Sequence, residues 1–213
     1  MLAFDSPAEV FRRLSSALLT EAAPSCFFET LRDENALLPY FPEVLALDRC
    51  EQSPFWHPEG NAFVHTMAVI DAGAALREEA EHPLAFMLAC LMHDYGKPLT
   101  TKRLPDGRLT CKGHAPAGKA PAEEGLRRLG AEELLIESVV DHVGLHLDPL
   151  EYFERNASPE ETRALFASSR CPHDLLLLSR ADGLGSGHAF PPEKDAYWAE
   201  RYEDFLVFSK GGH

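Results

Sequence analysis

Residues 88–99 read LACLMHDYGKPL, and the doublet His93-Asp94 within them decides the reading of the whole chain. The run that leads into it, from Pro83, is apolar nearly all round, as a central helix of an all-α domain should be. It ends on two metal-ligand residue types, followed by Tyr95, Gly96 and Lys97. An imidazole and a carboxylate are costly in a core unless they are paired or hold a cation. Successive helical residues point about 100° apart, so His93 and Asp94 can reach one ion lying in the wedge between them. An Asp at a helix C-terminus is itself unfavourable without a cation nearby. Gly96 permits a sharp exit, after which Lys97 projects back towards the doublet. The alternative is a hydrogen-bonded core histidine beside a helix-ending aspartate.

Further His and Asp residues lie on neighbouring elements. Asn61 caps a helix, NAFVHTMAVIDAGAALREEA, whose stripe is Phe63, Met67, Ile70 and Ala74, with His65 off that stripe. GHAPAG places His114 at a helix N-terminus, where anions are favoured. That helix is expected from about Ala117 to Leu129, stopped by Gly130. The next, Glu132 to His146, carries His142 and His146 four apart on one face. Pro172 opens HDLLLLSRADG, an apolar run in which Asp182 is costly unless partnered. Each of these residues also has a purely structural reading, such as a salt bridge between Asp182 and Arg180.

The rest of the chain is helical by the same patterns. Ser6-Pro7-Ala8-Glu9 is a capping box opening a helix to about Ala22, and Ser158-Pro159-Glu160-Glu161 is a second one. A helix is expected over Cys26–Leu38 and a short one within PYFPEVLALD. EQSPFWHPEG is a loop broken by Pro54, Pro58 and Gly60. RLPDGRLT, with its Pro-Asp-Gly turn, predicts a small β-hairpin near residues 100–111. The final helix, about Pro192–Ser209, carries Tyr197, Trp198, Tyr202, Phe205 and Phe208 on roughly one side, read as core. No repeat or long linker divides the chain. The expected architecture is all-α, with residues 1–52 as a helical lead-in packed on a main domain over 53–213.

Composition narrows the function. The 213 residues carry a formal charge of −14, which repels a phosphate backbone and argues against long nucleic acid. A local basic pocket for a small nucleotide or an RNA end is compatible with that charge. Five cysteines without a CxxC suggest free thiols in a reducing, cytoplasmic compartment. The first residues lack the pattern of a signal peptide, and no apolar run is long enough to span a membrane.

In chain order the ligand types run His65, His93-Asp94, His114, His142 and Asp182, each at the edge of an apolar helix. This order resembles the HD superfamily of metal-dependent phosphohydrolases. WHPEGNAFVHTMAVID, CLMHDYGKPLT, GHAPAG, DHVGLH and SRADGLG together resemble the C-terminal HD half of bacterial CCA-adding tRNA nucleotidyltransferases, over roughly residues 10–187. The resemblance implies an HD-type helical bundle, with His65, His93, Asp94 and Asp182 as the primary metal set. It implies that His114 and His142 complete a two-metal site bridged by Asp94, that Lys97 meets the substrate phosphate, and that His146 is second shell or substrate-facing. His114 or His146 is then a candidate proton donor to the leaving group. The implied cofactor is one or two divalent ions (Mn, Fe, Co, Ni, Zn or Mg). The implied substrates are phosphomonoesters or phosphodiesters, among them 2′-nucleotides and 2′,3′-cyclic nucleotides.

Two departures stand out. No strand-rich nucleotidyltransferase head is recognisable before residue 53, so the reading expects no CCA addition by this chain. Val143 stands where many relatives carry an acidic residue. His57 is read as structural, and His82, His173, His188 and His213 as ordinary surface residues. The competing reading is a nucleotide- or RNA-end-binding module with a structural or vestigial metal. Oligomeric state is left open.

Overall fold

A computed structural model describes residues 4–187 and 191–211. His188 and His213 lie outside the described residues. Helix α1 (Pro7–Thr20) starts where Ser6 Oγ accepts from the Glu9 amide at 3.2 Å. Its Glu9 carboxylate accepts from the Asp5 amide, one residue before the cap. Helix α2 (Ser25–Asp33) ends earlier than the expected Leu38, because the chain turns at Asn35 with φ of 54°. Helix α3 (Pro42–Asp48) follows. Val10, Leu14 and Leu18 of α1, Phe28 and Leu31 of α2, and Val44 and Leu47 of α3 are all in the main core.

Asn61 caps α4 (Ala62–Leu76) through its Oδ1, which accepts from the Val64 amide at 3.0 Å. After a single 3-10 turn comes α5 (Pro83–Met92), buried continuously from Ala85 to Met92. Its start is pinned by the buried Asp174 carboxylate, which accepts from the Glu81 and His82 amides at 2.8 and 2.9 Å. The turn α6 (Lys97–Thr100) leads into the hairpin, β1 (Lys102–Arg103) antiparallel to β2 (Leu109–Thr110), inside the expected window.

Helix α7 (His114–Leu129) begins at His114 itself, three residues earlier than expected. It ends at Gly130, whose φ of 78° is the left-handed conformation a helix stop uses. Helix α8 (Glu133–Leu145) packs on α7 and α5. Helix α9 (Asp148–Glu154) was not anticipated, since the seven residues DPLEYFE are too few to show a periodicity. The capping box before α10 (Pro159–Ser168) is present, with Ser158 and Glu161 bonding each other's amides. Helices α11 (Pro172–Gly185) and α12 (Pro192–Gly211) complete the fold. Of the aromatic stripe on α12, Trp198 is buried and its ring meets Phe166 of α10 at 5.8 Å, whereas Phe208 is exposed. No helix among the described residues is long and apolar enough to cross a membrane.

The site is placed by close helix crossings. A Cβ on Gly185 of α11 would lie 2.8 Å from the Val69 backbone nitrogen and 2.9 Å from its Cα in α4. A Cβ on Gly96 would lie 2.0 Å from the His114 carbonyl oxygen. Backbone cannot step aside as a flexible side chain can, so both positions require glycine. Gly185→Ala is expected to destabilise the protein by about 1–3 kcal/mol, as overpacking does. It also pushes α11 from α4 and so separates Asp182 from His65. Urea unfolding and metal titration of the variant check both effects together.

Candidate metal centre

Six side chains from five segments converge where α4, α5, α7, α8 and α11 meet. His65 stands on α4, His93 caps α5, and Asp94 follows it. His114 starts α7, His146 caps α8, and Asp182 lies near the end of α11. His65 Nε2 lies 3.2 Å from His93 Nε2 and 3.0 Å from Asp182 Oδ1. His114 Nε2 lies 3.1 Å from His146 Nε2. Asp94 sits between the two groups: Oδ2 is 3.3 Å from His93 Nε2, and Oδ1 is 3.2 Å from His114 Nε2.

The opposite ring nitrogens set the tautomers. His65 Nδ1 meets Glu59 Oε1 at 2.8 Å, His93 Nδ1 the Cys90 carbonyl at 2.8 Å, His114 Nδ1 the Cys111 carbonyl at 3.0 Å, and His146 Nδ1 the Val143 carbonyl at 2.8 Å. A carbonyl, or an ionised carboxylate, only accepts, so each Nδ1 carries the proton. All four Nε2 atoms then turn their remaining capacity inward. Outer hydrogen bonds of this kind orient histidines that ligate metals. Two facing Nε2 lone pairs about 3 Å apart repel unless a proton or a cation lies between them. Neither Asp94 oxygen accepts a hydrogen bond of good geometry, although both are buried. A divalent cation answers both problems, so the donor set fits one. His65, His93 and Asp182 form one group with ligand atoms within 4.8 Å of one another, and Asp94, His114 and His146 form another.

Protein charges alone already polarise the site. Burial opposes ionisation of Asp94, but Lys97, His93 and His114 hold its carboxyl well below the usual range. Burial likewise opposes charge on His65, yet Asp182 and Glu59 raise it to about 9. Burial opposes charge on His114 too, and Asp94 and Cys111 raise it to about 10. His146 moves the other way, to about 3, through burial and the neighbouring rings of His93 and His114. Glu59 is held down to about 2 despite its burial, because it accepts from the rings of His65 and His57.

Lys97 is only 3% exposed, and its ammonium is held by an ion pair and two hydrogen bonds. Nζ lies 2.7 Å from Asp94 Oδ2 and 3.3 Å from His57 Nε2, and it donates to Gln52 Oε1. The Lys97 ammonium therefore holds Asp94. His57 accepts from it, and burial together with Lys97 and His65 lowers that imidazole to about 4.

His142, expected as a ligand, falls in neither of these two groups. Its Nε2 lies 3.1 Å from the Cys171 carbonyl, to which it donates, so that face of the ring serves the α10–α11 connection. His146, one turn further on, stands beside His114 instead. The four-residue spacing was legible, but which of the two faces the centre depends on how α8 meets α7. Glu59, Gln52 and Trp56 were not singled out either. The signal for Trp56 and Glu59 was WHPEG, just before the helix of His65, read as a loop and as part of the family resemblance without a role for either side chain.

These pKa directions fix a sign. At neutral pH His65 and His114 carry a proton that a metal must displace, so metal binding should weaken as pH falls below about 9–10 and release protons. Calorimetric titration with Mn²⁺ at pH 7, in buffers of different ionisation enthalpy, is expected to show net proton release. In the same titration, His146→Ala should lose metal stoichiometry while His142→Ala should keep it.

The HD domain family profile matches residues 62–184. The Multifunctional CCA protein of Laribacter hongkongensis is 36% identical over 214 residues, covering 93% of this chain and 48% of that protein. Those of Halorhodospira halophila and Psychromonas ingrahamii are 39% and 38% identical, over 59% and 51% of this chain and 28% and 25% of their own lengths. The chain thus spans about half the length, or less, of these curated relatives. The profile covers every inward-facing His and Asp of the centre, and this chain belongs to the HD domain family.

Proposed function

We propose that the chain is a metal-dependent phosphohydrolase acting on a phosphomonoester or phosphodiester, with a nucleotide or 2′,3′-cyclic nucleotide as substrate. One observation carries this reading: four imidazoles, each locked by a bond from Nδ1, aim Nε2 at two carboxylates beside an open cavity. His65, His93 and Asp182 would hold one ion and His114 and His146 a second, with Asp94 placed between the two groups. Neutral imidazole with carboxylate suits Mn, Fe, Co, Ni or Zn. A divalent ion so held supplies Lewis-acid polarisation of a phosphoryl oxygen and lowers the pKa of water.

The protein's own groups supply position and charge. Lys97 keeps Asp94 ionised and balances it where water is scarce. Glu59 orients His65 and fixes its tautomer through Nδ1. His114 and His146, facing Asp94 and each other, act here as holders of the ion rather than as proton donors. The cavity of about 410 Å³ that opens on Asp94, His114, His146 and Asp182 is of a size that takes a small ligand. A nucleotide, or the end of an RNA, is the partner this supports.

Elemental analysis, then a panel of nucleotides and a chromogenic phosphodiester with added Mn²⁺, Co²⁺, Ni²⁺ or Mg²⁺, tests the reading. Turnover is expected to need metal and to fall to background in Asp94→Asn, with helical circular dichroism retained. Glu59→Gln should weaken metal binding about 10–100-fold, the usual scale for an outer-shell partner. Bound nucleotide without turnover under every metal would mean a binding module instead.

A further inference from the structure

The cavity above the metal centre carries a second buried lysine. Lys194, in the first turn of α12, is 5% exposed and lines the same cavity as Asp94, Asp182 and Lys97. It lies outside the residues matched by the HD family profile. The side chain sits among the anions Asp182, Glu154 and Asp195. Its position is fixed by the residues that follow. Trp198, one turn on, packs its ring against Phe166, and Tyr197 Oη donates to the Ala157 carbonyl at 3.0 Å.

Lys97 is held by an ion pair with Asp94 and by hydrogen bonds with Gln52 and His57. Lys97 is thus a positioning residue for Asp94. Lys194 brings a cation to the wall of a cavity whose floor carries the candidate metal ligands. Burying an ammonium is costly, and a lysine on the wall of a ligand cavity is well placed to meet an anionic group. Trp56, 63% exposed, lines the same cavity and offers an aromatic face for a base.

We propose that Lys194 binds a non-reacting phosphate of a nucleotide substrate, so that the cavity selects nucleotides carrying a second phosphate, such as one on the 5′ side of a cyclic or 2′-phosphate. This rests on the phosphohydrolase reading above. It makes Lys194 a specificity residue, with its effect in binding.

The test uses the full chain with Mn²⁺ and two probes, adenosine 2′,3′-cyclic phosphate and the same compound with a 5′-phosphate. Wild type is expected to show a KM about tenfold or more lower for the 5′-phosphorylated probe, the scale of one charge-assisted hydrogen bond. Lys194→Met should erase that preference, with kcat on the unphosphorylated probe and metal stoichiometry unchanged, and Lys194→Arg should restore most of it. A preference retained in Lys194→Met overturns the proposal. So does an equal loss on both probes, which would make Lys194 structural. If wild type turns over neither probe, the hydrolytic reading fails, and the proposal is judged by binding. Calorimetry should then show the 5′-phosphorylated probe binding wild type about tenfold or more tightly than Lys194→Met, and equal affinities overturn it.

Discussion

Asp94 has to remain a carboxylate at a point where water is nearly absent, and the surrounding structure is built to keep it so. It is 1% exposed, and burial alone would favour the neutral acid. Lys97 opposes that from 2.7 Å, and Gln52 and His57 hold Lys97 there. The loop before α4 supplies both holders, so the doublet at the end of α5 depends on residues some forty positions earlier. Removing one charge of such a pair leaves the other buried and uncompensated, which costs far more than the pair contributes. The chain exit at Gly96 is part of the same device. Only a residue without Cβ lets the turn pass under the His114 carbonyl, and that passage brings the ends of α5 and α7 together.

The outer hydrogen bonds divide the work differently. Three of the four inward histidines take their Nδ1 partner from a carbonyl three residues earlier in the chain: Cys90 for His93, Cys111 for His114 and Val143 for His146. Such a bond is available to a histidine at a helix end or turn, where its own backbone is close and some carbonyls are free of helix bonding. His65, in the first turn of α4, takes its Nδ1 partner from the preceding loop instead, at Glu59. Support is thus local for three of the inward histidines and borrowed from a loop for the fourth.

That distinction explains what the sequence made legible. The all-helical architecture, the hairpin and the caps at Ser6, Asn61 and Ser158 follow from local patterns and are visible one segment at a time. His65, His93, Asp94, His114 and Asp182 stood out because ligand types at the rims of apolar helices are chemically out of place. His142 and His146 share a face of α8, and nothing local separates them; the Cys171 carbonyl, nearly thirty residues away, takes the first and leaves the second to the centre. Lys194 was invisible for the same reason. It follows a proline pair in a polar first turn, PPEKD, and reads as surface until Trp198 is seen to fix α12 against α10. Helix α9 is too short to declare itself.

Charge resolves the remaining tension between an acidic chain and a proposed site for phosphate. A formal charge of −14 is a property of the surface as a whole, and over distances beyond about 10 Å salt screens it. Inside the cavity the balance is set by a few groups in a low-dielectric pocket, where each counts for far more. Asp94 and Asp182 are matched there by Lys97, Lys194 and the imidazoles turned inward. A small phosphorylated ligand entering the pocket meets that local field. A long polyanion must also approach the acidic exterior, so a proposed pocket for a nucleotide or a chain end is compatible with a surface that disfavours an extended nucleic acid.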